Sequence, residues 1–243
     1  MEYLLGLIMT GHAGWEHPLQ YVPVYSDVTT FFGMARAHYS AQTFISDYPT
    51  GNAIEYFFGE NDLWDNSKVL QWSPWQETAT RRSFVKKPAR EFMFPILAEA
   101  AADMKRAGAF VAMGAHGEQD GLGSHWETWG FAEGLTPMEA LEAASLDGAH
   151  FLGLENEIGS VTVGKLADVV VLNTNPLDNI RNTTDIAYVM KAGRLYRADT
   201  LEEIWPQQRP YGIRPWLLDD VLRTDLRPDD YWDKRPSRKT SSQ

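Results

Sequence analysis

The sequence has no cysteine among its 243 residues. That excludes disulfides and any cysteine-based zinc site. It is also poor in positive charge. Its 22 Lys and Arg face 33 Asp and Glu, a net charge of −11, which argues against nucleic acid or an anionic membrane as a partner. No apolar run approaches the roughly 20 residues of a membrane span. The short apolar stretch Met1–Met9 begins with Glu2 and lacks the basic flank of a secretion signal. Several chemical fingerprints are missing as well: the nucleophile elbow GxSxG, the P-loop, the dinucleotide-binding GxGxxG, and any H-x-H pair.

What is present suffices for a packed core. Hydrophobic residues make up 44%, with 9 Trp, 10 Tyr and 11 Phe, enough for one sizeable domain or two small ones. The apolar run Tyr3–Ile8 is too short to assign by period and fits the end of a helix or of a strand. Gly11–His17 reads as a short strand entering a loop. Ser26 or Asp27 can cap a helix over Val28–Ala37, with Phe31, Phe32 and Met34 as core candidates. Tyr39–Ile45 has the β-branched and aromatic content of a strand.

Ser46–Lys87 has no clear period and carries Trp64, Trp72, Trp75 and the pair Arg81–Arg82. It reads either as an aromatic-stapled surface excursion or as a lid over a site. Arg90–Ala107 is the clearest helix. Phe94, Leu97, Ala98, Ala101 and Met104 form its apolar face, Gly108 its stop, and Pro95 places the true start near Phe94. Ala109–Met113 follows as a buried strand and Gly114–Gly123 as a glycine-rich loop. Ser124 with Glu127, and Thr136 with Glu139, each fit a capping box, predicting helices over Trp126–Ala132 and Pro137–Leu146. This alternation argues for parallel α/β units. Beyond Gly159 the texture turns to strands: Val161 and Val163 alternate, Val169–Leu172 reads as buried, and Tyr188–Lys191 can pair with Arg194–Tyr196 across Ala192-Gly193. Past Leu222 the composition predicts a poorly ordered tail.

Of six histidines, His38 and His150 fit structural roles. His116 is the stronger chemical candidate. It follows the Ala109–Met113 strand in Gly-Ala-His-Gly-Glu-Gln-Asp-Gly, so His116, Glu118 and Asp120 meet on one loop at a strand C-terminus. Imidazole and carboxylate suit zinc, and either acid can accept a proton from water. The alternative is a glycine-rich turn with solvated acids. His125 and Glu127 open the next helix and face the same mouth. His17 ends a strand in Trp-Glu-His-Pro and can be either a ligand or a structural residue.

Taken together, these segments resemble the imidazolonepropionase-like branch of the amidohydrolase superfamily, including members that follow a TolB-like propeller. The resemblance rests on Gly14–His17, on Gly114–His125, on Leu135–Leu154, and on Gly159–Pro176 with its continuation to Tyr196. It covers about residues 1–206. It implies the C-terminal part of a metal-dependent (β/α)8 barrel plus part of a small β-sandwich. Residues 1–156 would hold strands six to eight with an insertion at 46–89, residues 157–206 the sandwich segment, and 207–243 an extended tail. It implies hydrolysis of non-peptide C–N bonds in a small-molecule substrate by a metal-activated water, with zinc as the divalent metal. His17 would be the sixth-strand ligand. His116 stands where the family has the eighth-strand Asp. His116, Glu118 and Asp120 are then the catalytic candidates, and Trp15, His125 and Glu127 the substrate-binding ones. The first metal ligands of the family lie in strands this sequence does not carry. The barrel would need an N-terminal half or a homo-oligomeric partner, and the alternative is a non-catalytic module or split subunit.

Overall fold

The computed structural model describes residues 2–19, 23–41, 53–60, 63, 66–73, 87–116 and 119–212. Chain order gives α1 (Glu2–Met9), β1 (Gly14–Glu16), α2 (Ser26–Met34), β2 (His38–Ser40), α3 (Ala53–Glu60), α4 (Ser67–Trp72), α5 (Phe94–Ala107), β3 (Phe110–Ala112), α6 (Gly123–Phe131), α7 (Pro137–Ala143) and α8 (Leu146–Phe151). A second group follows: β4 (Val169–Leu172), a 3-10 turn (Ile180–Thr184), β5 (Ile186–Lys191), β6 (Arg194–Arg197) and β7 (Glu203–Trp205). The α/β class read from the sequence holds.

β1, β2 and β3 form one parallel sheet in that order. Helices connect the strands, as parallel pairing requires. Trp15, Tyr39 and Val111 stand in register on one row, and Gly14, His38 and Phe110 on the preceding one. Gly14 is fixed by crowding, since a Cβ there would lie 2.5 Å from the His38 carbonyl oxygen. The core lies between the sheet and its helices. Phe32, Tyr39, Phe57, Met104, Val111, Trp126 and Phe131 are all fully buried.

α2 and α5 pack with almost no gap. A Cβ on Gly33 would come within 2.4 Å of Ala107. α5 begins at Phe94 with Pro95 in its first turn and stops at Gly108, whose φ is 111°. α7 carries the capping box expected of Thr136 and Glu139, with both reciprocal bonds formed. β5 and β6 form the expected hairpin across Ala192-Gly193 within the four-stranded antiparallel sheet β4-β5-β6-β7. Among the described residues no second sheet faces it.

Several readings need correction. Tyr25, not Ser26 or Asp27, caps α2, and no side chain completes the cap. Met34 is 81% exposed, because it ends α2 beyond the face that meets α5. The capping box at Ser124 and Glu127 is absent: α6 starts at Gly123, three residues before the expected Trp126, with Leu122 as its uncapped lead-in. The helix expected over Pro137–Leu146 ends at Ala143, and α8 follows as a separate turn. Val161 and Val163 belong to no strand and are exposed, and β4 is half-exposed rather than buried. The irregular stretch from Ser46 holds two helices, and α3 is core: Ala53, Ile54 and Phe57 are buried. Trp64, Trp75, Arg81, Arg82, the end of the Tyr39–Ile45 segment and the tail past Leu222 lie outside the described residues.

Candidate active site

The C-terminal ends of the three parallel strands meet at one mouth. β1 runs out into His17, whose backbone N–H still donates to Ser40 O at 2.9 Å as though the ladder continued. The chain then turns sharply, with His17 at φ 80°. Pro18 and Leu19 fold back into the core, and Leu19 N–H donates to the Tyr39 hydroxyl at 3.2 Å. Beyond β3, His116 and Gln119 also adopt left-handed backbone, at φ 53° and 50°. Left-handed geometry on non-glycine residues costs about 1–3 kcal/mol each and gathers at functional sites. Three of the six such residues among those described lie on the loops leaving β1 and β3, the others being Arg36, Ala192 and Leu201.

This geometry brings His17 and His116 together. Their ring centroids are 5.7 Å apart and tilted by 59°. His17 Nδ1 is buried without a hydrogen-bond partner among the described residues, as are the Trp15 indole N–H and both amide atoms of Gln119. Unpaired buried polar atoms are costly and call for an absent group, an ion or water. Two imidazoles with a free nitrogen suit a divalent metal such as zinc, but they are two donors where a catalytic zinc takes three from protein. Among the described residues no group of three or more His, Asp or Glu side chains makes a metal site. The residues therefore fit part of such a site.

The remaining candidates are distributed differently. Glu118 lies outside the described residues. Glu127 is fully buried in α6, and desolvation raises its pKa well above the ordinary value. The Gly114 N–H acts on its carboxyl but is too poorly placed for a full hydrogen bond, which leaves both oxygens unpaired. Asp120 is exposed. It lines a cavity of about 460 Å³ with His125, Trp72, Trp126 and Trp129, and the walls include neither His17 nor His116. Desolvation lowers the His125 pKa, so the ring is neutral at pH 7. Trp15 is half-buried beside the mouth on β1.

His38 and His150 pair at the opposite end of the sheet. His38 Nδ1–H donates to Ala13 O at 3.1 Å, which leaves its Nε2 to accept from His150 Nδ1–H at 3.0 Å. His150 stacks on Phe110 at 3.8 Å. This pair ties α8 to the sheet. Sequence reasoning missed Gln119 and the cavity, and nothing in the residue order announced either.

Residues 94–196 match the model of the Amidohydrolase family. This part of the chain is thus similar to the amidohydrolases. An imidazolonepropionase of Symbiobacterium thermophilum is 48% identical over 65 residues, 26% of this chain and 15% of that protein. A 5'-deoxyadenosine deaminase of Methanobrevibacter smithii is 37% identical over 67 residues, 27% of this chain and 15% of that protein. The matched length is thus a small part of both relatives. A Xaa-Pro dipeptidase with bound methionine superposes with TM-score 0.53 at 20% identity, over 81% of this chain and 42% of the dipeptidase. An Aspergillus niger ochratoxinase does so with TM-score 0.52 at 22% identity, over 80% and 39%. At such identities the likeness is one of fold.

Proposed function

We propose that this chain is the C-terminal portion of a metal-dependent hydrolase cleaving non-peptide C–N bonds in a small molecule. Its parallel sheet would be strands six to eight of a (β/α)8 barrel, followed by a segment of a small β-sandwich. The observation that carries the reading is the meeting of His17 and His116, 5.7 Å apart on the loops leaving β1 and β3. In parallel α/β folds, groups that act on a ligand sit at the strand C-termini. The relatives reported above add support, since the chain spans about two fifths of the dipeptidase it superposes on.

His17 and His116 are the residues that would hold the metal. When bound, zinc would supply Lewis acidity and a water acidified to near neutral pH. The chain's own groups would do the rest. A ring nitrogen engaged as a ligand has no lone pair left for proton transfer, so the base falls to Glu118 or Asp120. Trp15 would flank the substrate from β1. The third metal donor and the opposite wall of the mouth would come from an N-terminal half or from a partner subunit.

Equilibrium dialysis against zinc tests this, using the 243-residue chain and the same chain co-produced with an H-x-H-bearing barrel half. The chain alone should bind zinc weakly, and the completed barrel stoichiometrically. His17→Ala and His116→Ala should each weaken that binding at least tenfold. Tight zinc in the chain alone, unaffected by either substitution, would remove both histidines from the site. In the completed barrel, Glu118→Gln should cut amide turnover by about a hundredfold if Glu118 is the base. Unchanged turnover would leave Asp120.

A further inference from the structure

The cavity beside α6 shares Asp120 with the reading above, and its other walls are specific. Trp126 and Trp129 come from α6, Trp72 from α4, Ile186 from β5 and Leu201 from the connection between β6 and β7. A volume of about 460 Å³ suits one small ring-bearing group rather than a long chain. Its charge is equally specific. Asp120 is exposed at the cavity and makes no ion pair among the described residues. Lys68 also borders the cavity, but it interacts electrostatically with Asp185. Among the described wall residues Asp120 is the one carboxylate, and a carboxylate beside an aromatic enclosure attracts an organic ammonium group. Asp120 follows His116 by four residues in the sequence, so one cavity wall and the histidine mouth share a stretch of chain.

We infer that this cavity binds an aromatic amine, its ring among Trp72, Trp126 and Trp129 and its ammonium on Asp120, and that it is a subsite for the substrate of the neighbouring histidines. The second clause rests on the hydrolase reading, and the binding does not. Three simple probes separate the parts: 2-phenylethylamine, phenylacetate with the same ring and opposite charge, and propylamine with the amine alone.

Ligand-observed NMR titration of the full 243-residue chain, without metal, reads the binding. Phenylethylamine should saturate, with affinity at least about threefold above phenylacetate, the scale of one rim ion pair. Propylamine should not saturate. Asp120→Asn should abolish the charge preference while ring binding persists. Leu201→Trp, which fills the cavity from the β6–β7 connection and leaves the residues of α4 and α6 unchanged, should abolish binding of both ring compounds. Absence of saturable phenylethylamine binding overturns the proposal, as does a charge preference that survives Asp120→Asn. So does binding undiminished in Leu201→Trp. The hydrolase reading fails separately, through loss of zinc binding or turnover in the completed barrel, and neither enters this titration.

Discussion

Glu127 places a carboxyl where folding removes it from water and gives it no full hydrogen bond. Burial disfavours the charged form and raises its folded pKa well above the ordinary carboxyl value. The unfolded chain therefore releases a proton that the folded chain keeps. Stability from this group is complete below about pH 4.5 and declines as pH rises towards the folded pKa. Glu127→Gln retains the shape and cannot ionise. The variant should melt higher than the parent at pH 8, with the difference shrinking to nothing near pH 4. A variant that melts lower at pH 8 would mean the carboxylate has a partner beyond the described residues. His125 and His38 act with the opposite sign. Burial lowers both pKa values below 6.5. The unfolded chain takes up protons first, so stability is lost as pH falls through 6.5. Replacing His125 by Asn should flatten the decline in melting temperature between pH 7 and 5, and a slope identical to the parent's would exclude its contribution.

Single contacts decide the elements. The Thr136–Glu139 box satisfies the first amides of α7 from both sides, with Thr136 N–H donating to Glu139 Oε2 at 2.8 Å. Thr136→Ala should cost about 1 kcal/mol, measured by urea unfolding, and a change within error would show that α7 is held by packing alone. Gly33 is stricter. Its missing side chain lets α2 lie directly on Ala107, and Gly33→Ala should destabilise by about 1–3 kcal/mol through forced separation of the helices. These two positions also mark how far the sequence could be read. The capping box was legible because both partners are three residues apart and form the same bonds in any helix. The α5 stop at Gly108 was legible for the same local reason. α3 was not, since its Phe57 is buried by Trp126 and Trp129 some seventy residues away. The Ser124–Glu127 pattern misled because α6 is buried almost all round, so Glu127 points inward instead of back to its helix start. In the mouth, the pairing of His17 with His116 could be anticipated from strand ends, whereas the left-handed turns that set it were visible only in the backbone.

Across the whole molecule, one arginine joins three layers. Arg181, in the turn before β5, lies 4.4 Å over the Trp129 ring of α6 and 4.8 Å over Phe57 of α3, and it pairs with Glu60 at 3.2 Å. Beside it the buried Trp129 indole N–H donates to the Thr183 hydroxyl at 2.8 Å. The antiparallel sheet is thus tied to the parallel one through a small contact of high polarity, while its own strands are half-exposed. A joint of this kind should open before either sheet unfolds, as interfaces with few buried apolar contacts do. Thr183→Val leaves the indole N–H buried and unpaired, a loss of about 1–3 kcal/mol, and Arg181→Ala removes the cation from both rings. Amide hydrogen exchange should then accelerate across 180–205 in either variant, with protection in α5 and β3 unchanged. Exchange that rises equally throughout would mean that the two sheets unfold as one unit and that Arg181 supports the global core. The distinction bears on the cavity too, because its far wall, Ile186 and Leu201, moves with the small sheet. If the joint opens, phenylethylamine affinity should fall in Arg181→Ala although Arg181 does not line the cavity.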